Sequence, residues 1–386
     1  MKDISYIINH LGEERENYFN AITPPVFQTS NFAFHSVEEL RNAIADEKNS
    51  HIYSRGNNPT TDILCRKIAA LEDTEQALAF ASGMAAISSA LISFLKTGDH
   101  VVSVRNNYSW TNMLMRKFLP RFGIETTFVD GTQTDNFTRA IRKNTRVIYL
   151  ESPNSMTFEL QDIEAVSARA KENGITTLID NSYSSPLTQS PSAMGADIIL
   201  HSASKYLGGH SDIVAGIVCG SAENITRIFH NEYLGLGGII SPFNAWLMLR
   251  GLRTLPARID RISDTTVKVM QYLENHSLVS EVLHPFSRRH PQYDLALKQM
   301  IKPVGLFSVR LKVAPRSKLE LFVNSLRQFI IGVSWGGHES LVFPAISFDE
   351  ERTNDEYTND LVRFYIGLDD PDCLISDLEQ AFRKIN

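Results

Sequence analysis

Cysteine is scarce. Only Cys65, Cys219 and Cys373 occur in 386 residues, too few and too scattered for a disulfide framework or a zinc site. Cys65 and Cys219 lie among apolar neighbours and read as inert core thiols. The 11 histidines show no pair at the spacing of a zinc site, so no metal is expected. A basic excess is missing too: 38 Lys and Arg against 44 Asp and Glu leave a net charge of −6. That removes the basic stripe on which a nucleic-acid surface depends. No apolar run reaches the length of a membrane span, and the start, from Met1 to Tyr6, has no cleavable apolar stretch. Neither nucleic acid nor membrane is expected as a partner, and a reducing cytoplasm is the natural setting. What is present, 43% hydrophobic and 21% charged residues, is an ordinary globular composition. The length suits two domains.

The most informative stretch runs from Gly195 to Gly209. Asp197 to His201 reads as a short buried strand, and the pair Gly208-Gly209 marks a turn. Lys205 therefore falls just beyond a strand's C-terminal end, where open α/β sheets bind their ligands. Ser202 and Ser204 flank it. A lysine held in a partly dry pocket gives up its proton more readily, as a nucleophilic amine must. Upstream, Ile175 to Asp180 forms another apolar strand, ending in a carboxylate. A strand-end aspartate followed by a strand-end lysine in the next βα unit is the arrangement of pyridoxal phosphate enzymes. There the lysine carries the aldehyde and the aspartate keeps the ring nitrogen protonated.

The segment Ser202-Ala203-Ser204-Lys205-Tyr206 resembles the Ser-x-Thr-Lys-Tyr of the Cys/Met-metabolism family of pyridoxal phosphate enzymes, with serine for threonine. That family includes cystathionine synthases and lyases and methionine γ-lyase. Similar matches recur from Thr23 to the C-terminal segment. The resemblance implies an α/β chain of fold-type I, with a mostly parallel seven-stranded sheet and a smaller C-terminal α/β domain. Three regions are expected: an arm over residues 1–50 contacting a neighbouring subunit, a cofactor-binding domain over 51–240, and a linking helix with the C-terminal domain over 241–386. Within the arm one helix is expected from Ser36 to Asp46, with Ser36 as its cap and Glu39 at the capping-box position.

Further site residues follow from the resemblance. Tyr53 and Arg55, in a Gly-, Asn- and Pro-rich loop, match a pair that binds the cofactor phosphate of the neighbouring subunit; a guanidinium grips phosphate by two hydrogen bonds. Ser82, Gly83 and Met84 stand between a strand and a helix, where free N–H groups and the helix dipole face an anion. They match the family's Ser-Gly-Met-Ala phosphate cradle. Tyr108 takes the place of a tyrosine that stacks on the pyridine ring and shuttles protons. Arg363 matches the clamp for the substrate's α-carboxylate, helped by Ser334, and Glu339 stands beside them in the same C-terminal motifs. His201, His210 and His338 read as structural, with His338 close to substrate through Glu339.

The chain also departs from the pattern. Trp110 follows Ser109 where the family often has small residues, which narrows the substrate side. Ser155 falls where an asparagine usually meets the cofactor's phenolic oxygen, so either Ser155 replaces that contact or Asn154 shifts into it. After Pro344 a Thr-His pair is replaced by Ala345-Ile346-Ser347-Phe348. Trp335, in Ser-Trp-Gly-Gly, resembles some bacterial cystathionine β-lyases. The expected function is thus a pyridoxal 5'-phosphate-dependent carbon–sulfur lyase acting on a sulfur amino acid such as cystathionine by β-elimination. A γ-lyase and a γ-replacement synthase using an activated homoserine are the alternatives. A non-catalytic cofactor-binding protein is a more remote one, since Lys205, Asp180 and Arg363 are all in place. The resemblance further implies a homotetramer with active sites shared across a dimer interface.

Overall fold

The computed structural model describes residues 3–347 and 360–385. Two compact units emerge. The first takes residues 1–151, 161–208 and 212–254; the second takes 152–160, 209–211 and 255–386. The helix Pro242–Arg253, expected to go with the C-terminal part, belongs to the first unit.

The first unit is built on seven strands: β1 (Gln76–Phe80), β2 (His100–Val104), β3 (Glu125–Val129), β4 (Thr145–Glu151), β5 (Thr176–Asp180), β6 (Ile198–Ser202) and β7 (Gly216–Gly220). Their order is β1-β7-β6-β5-β4-β2-β3. β7 runs antiparallel to both neighbours, and every other pairing is parallel. Strands covered on both faces carry unbroken apolar runs rather than alternation, and β2 and β7 are buried along their whole length. Helices such as Gly83–Ser93 pack on this sheet through Ala86, Ile87, Ala90 and Leu91. The strand order reverses between β2 and β4, and in such sheets the carboxyl ends around that crevice carry the ligand.

The second unit has a five-stranded sheet of β8 (Val279–Leu283), β9 (Leu306–Leu311), β10 (Ile330–Ile331), β11 (Leu341–Pro344) and β12 (Leu361–Tyr365). The order is β10-β11-β12-β9-β8, antiparallel except for the β10/β11 pair. The helices Leu255–Glu274, Arg316–Ser325 and Pro371–Phe382 close a core with Phe307, Phe322, Phe364 and Phe382. Asp370 caps the last of these by accepting from Asp372 and Cys373 N–H, and Pro371 stands at its first position.

Several elements differ from the sequence expectation. The arm helix is Val37–Ala45, and Ser36 caps it through Glu39 N–H; the Glu39 carboxylate returns to His35 N–H rather than to Ser36. A second arm helix, Ile4–Asn9, is one and a half turns long, too short to show a period. Phe348, in the segment that replaces the Thr-His pair, lies outside the described residues. All three cysteines are free; burial pushes the Cys65 thiol up to about 12 and raises Cys219 well above its usual value. Among the described residues no helix is long and apolar enough to cross a membrane.

Candidate active site

Asp180 ends β5, and the neighbouring register pairs it with Glu151 at the end of β4 and with Leu200 in β6. Its carboxylate is buried, 6% exposed. Oδ1 accepts the N–H of Ser182 at 2.9 Å. Burial pushes its pKa up; the hydrogen bonds from Ser182 and the charges of His201 and Lys205 pull the other way. Lys205 follows β6 in a turn closed by its own N–H to Ser202 O at 3.0 Å, and it is half-buried. The aspartate thus stands at the end of β5 and the lysine just beyond the end of β6, its parallel neighbour.

Beside them begins the helix Gly83–Ser93. Ser82 is extended and its hydroxyl accepts Ala85 N–H at 3.0 Å, which fixes where the helix starts. The glycine allows close approach: a Cβ at Gly83 would stand 3.1 Å from the Cα, Cβ and Oγ of Ser202, tighter than ordinary contact. Gly216, opening β7, is tighter still, since a Cβ there would lie 2.1 Å from Ser82 O. Met84 is half-buried, with its sulfur 4.0 Å from Thr111 Oγ1. The Ser204 hydroxyl is turned to the main chain of Ala215, whose N–H it accepts at 3.0 Å, so it braces the turn after β6.

Tyr108 is 42% exposed at the start of the short helix Ser109–Met113, beyond β2. Its N–H donates to Glu151 Oε2 at 2.6 Å. Glu151, buried at the end of β4, had no assigned part in the sequence reading; its place in register with Asp180 is the signal that mattered. Trp110, in the first turn of that helix, is 58% exposed. Tyr53 and Arg55 are both exposed, the guanidinium 5.2 Å from the Tyr53 ring.

The remaining candidates belong to the second unit. The Asn154 side chain is fully committed to its own turn: Oδ1 accepts from Met156, Thr157 and Phe158 N–H, and Nδ2 donates to Thr157 and Glu159. The Asn154 amide is thus engaged within its own turn, and the adjacent Ser155 is half-buried. Arg363, in the middle of β12, donates Nη1 to Ser155 O at 3.0 Å and Nη2 to Val333 O at 2.7 Å. Ser334 is exposed, and Trp335 is buried. The Glu339 carboxylate receives the Ser211 hydroxyl at 2.7 Å on each oxygen, with His338 Nδ1 at 3.2 Å. Gly337 makes room for this, because a Cβ there would meet Ser211 Oγ at 2.0 Å.

The first-unit donor set fits pyridoxal phosphate: a capped helix start with a glycine for an anion, a buried carboxylate for a ring nitrogen's proton, and an amine for an aldehyde. Comparison with known proteins agrees. The model of the Cys/Met metabolism PLP-dependent enzymes matches residues 6–383. An L-methionine gamma-lyase of Fusobacterium nucleatum subsp. polymorphum is 38% identical, with 96% of this chain and 95% of that protein aligned. A cystathionine gamma-lyase of Bacillus subtilis (strain 168) is 35% identical, over 97% of this chain and 98% of that one. The crystal structure of metB from Corynebacterium glutamicum superposes with a TM-score of 0.93 at 33% identity, covering 100% of this chain and 99% of that chain. The chain belongs to the Cys/Met metabolism family of pyridoxal phosphate-dependent enzymes.

Proposed function

We propose that this pyridoxal phosphate-dependent enzyme cleaves the carbon–sulfur bond of a sulfur amino acid such as cystathionine by β-elimination. The observation that carries the reading is the buried Asp180 carboxylate set against Lys205 at adjacent strand ends. When bound, pyridoxal phosphate supplies a sink for the negative charge left at Cα after its proton is removed. Lys205 would be the cofactor's attachment point, and its amine would serve as the base for the Cα proton. Asp180, as a carboxylate, holds the proton on the ring nitrogen. Tyr108 would help to hold the ring and could pass protons on the substrate side. Ser82, Gly83 and Met84 would receive the phosphate, with Ser202 and Ser204 beside them, and Ser155 would take the phenolic oxygen. Arg363 and Ser334 hold the substrate's α-carboxylate, while Trp110 and Glu339 border its side chain.

Elimination at Cβ is favoured by the bulk of Trp110 and by Trp335 in its Ser-Trp-Gly-Gly setting. A γ-reaction requires a second deprotonation at Cβ and room for a longer side chain. The second reading, γ-elimination, is favoured by the names of the methionine and cystathionine γ-lyases to which the chain is similar. Incubation with cystathionine separates them: pyruvate is expected, and 2-oxobutyrate instead would give the reaction to Cγ. If neither keto acid forms but an acylated homoserine and cysteine yield cystathionine, the enzyme is a synthase.

We further propose a cytoplasmic homotetramer in which Tyr53 and Arg55 reach the phosphate of a neighbouring subunit. Their exposure supports this. Mixed Arg55→Ala and Lys205→Ala subunits should regain part of the activity, because one site of each hybrid dimer is intact. Hybrids shown to form yet wholly inactive would put each site within a single chain.

A further inference from the structure

Behind Asp180 lies a buried polar cluster that the proposed chemistry leaves unused. Glu72 follows the helix Pro59–Leu71 and is 0% exposed. An acid at a helix C-terminus faces the negative end of the dipole, and burial removes its hydration as well. Glu72 Oε1 accepts from His201 Nε2 at 2.5 Å and from Asn181 Nδ2 at 3.0 Å. Asn181 is the residue after Asp180, and His201 immediately precedes Ser202 at the end of β6. The same two strand ends are laced by Asn181 N–H to Leu200 O at 2.9 Å and by Ser202 N–H to Ser182 Oγ at 2.6 Å. One carboxylate oxygen thus joins the strand that presents Asp180 to the strand that leads to Lys205.

The cluster is poorly designed for stability alone. Glu72 Oε2 and Asn181 Oδ1 are buried with no hydrogen-bond partner, and replacing such groups by well-packed apolar side chains is often neutral or stabilising. An arrangement that costs stability at this point fits a role in function.

We propose that Glu72 and His201 are positioning residues for the cofactor site: Glu72, through His201 and Asn181, fixes the spacing and charge environment of Asp180 relative to Lys205. His201 is among the charges that favour the ionised form of Asp180, against the effect of burial. Other ionisable groups face the pair. Tyr149 and Glu151 of β4 lie on the Asp180 side, and Cys219 of β7 together with Cys65 on the Glu72 side. The sequence reading of His201 as simply structural passed over this link, because Glu72 lies 129 positions away.

The proposal rests on the assignment of Asp180 and Lys205 to the cofactor, and the experiment separates the two. Apo-protein of the wild type, Glu72→Gln and His201→Gln is dialysed against pyridoxal phosphate, the absorbance of the loaded proteins is followed against pH, and apo-protein melting temperatures are compared. Glu72→Gln keeps the size and one acceptor oxygen but removes the charge. About tenfold weaker cofactor binding and a shift of about one pH unit in the absorbance midpoint are expected in both variants, beyond any change in melting temperature. Variants that melt lower yet bind and titrate as the wild type does would overturn the positioning role. A wild-type protein that takes up no cofactor would instead overturn the assignment beneath it.

Discussion

Asp180 in the first unit and Arg363 in the second are both buried charges, 6% and 8% exposed. Asp180 ends a parallel strand, and its partners are Ser182, two residues on, and groups at the end of the neighbouring strand. Arg363 stands in the middle of an antiparallel strand and is held by the carbonyls of Ser155 and Val333, 208 and 30 positions earlier. The first charge is positioned by the geometry of a βα unit, in which every strand delivers its last residue to the same edge. The second is positioned by irregular segments whose meeting follows from tertiary packing. Chemistry that depends on charge at a fixed point suits the first arrangement, and the capture of a carboxylate by a planar fork suits the second.

The largest expected effects divide along this line. Lys205→Ala should lower kcat about 10³-fold or more and abolish borohydride fixation of the cofactor. Arg363→Lys keeps the charge but loses the fork. It should lower kcat/KM by about 10- to 100-fold while the protein stays yellow and its cofactor affinity is unchanged. An Arg363→Lys protein that sheds its cofactor would break the division of labour between the units.

The same division explains what was legible in the sequence. The strand read over Asp197 to His201 is found as Ile198–Ser202, and Ser36 caps its helix as expected; both are local patterns. The strand ends that carry Asp180 and Lys205 were legible for the same reason. In the second unit β10 is only two residues long and β11 only four, too short for alternation to show. The Asn154 side chain accepts three main-chain N–H groups of its own turn, a commitment that no spacing in the sequence announces. Glu72 and Glu151 act across 129 and 43 positions, and nothing in the periodicity of a chain encodes such a distance.

Buried histidines offer an intermediate test, one in each unit. His100 and His284 are fully buried, and burial pulls each from 6.5 down to about 4, with the Arg142 charge adding to the effect at His100. His284 Nδ1 accepts Phe286 N–H at 2.9 Å, so Nε2 is the nitrogen that donates to Val304 O, at 3.1 Å. His100 lies between the hydroxyls of Thr145 and Thr127, each at 2.8 Å. Between pH 6.5 and about 4 the unfolded chain binds these protons and the folded one does not. Stability therefore falls as the pH falls through that window, by about 3 kcal/mol per histidine at its lower end. Denaturant midpoints of the apo-protein at pH 7 and pH 5 should show the loss, and His284→Gln should flatten it more than His100→Gln. A hydroxyl can turn to meet a second ring proton, but a backbone N–H cannot. Equal flattening would mean that burial alone sets both histidines.

The smallest expected effect compares two serine caps within the first unit. Ser82 opens the helix Gly83–Ser93 through Ala85 N–H at 3.0 Å, and Ser241 opens the helix Pro242–Arg253 through Asn244 N–H at 3.1 Å. Each alanine replacement removes one hydrogen bond from a helix of similar length, at about 1 kcal/mol of stability. Ser82, however, also sits at the helix start where the cofactor phosphate is proposed to bind, and losing its hydroxyl leaves the first-turn N–H groups less firmly aimed at an anion. Ser82→Ala should therefore weaken pyridoxal phosphate binding to the apo-protein severalfold, whereas Ser241→Ala should leave it unchanged. If both variants lose the same stability and neither changes cofactor affinity, Ser82 is a cap and nothing more, and the phosphate depends on Gly83 and Met84 main-chain N–H groups instead.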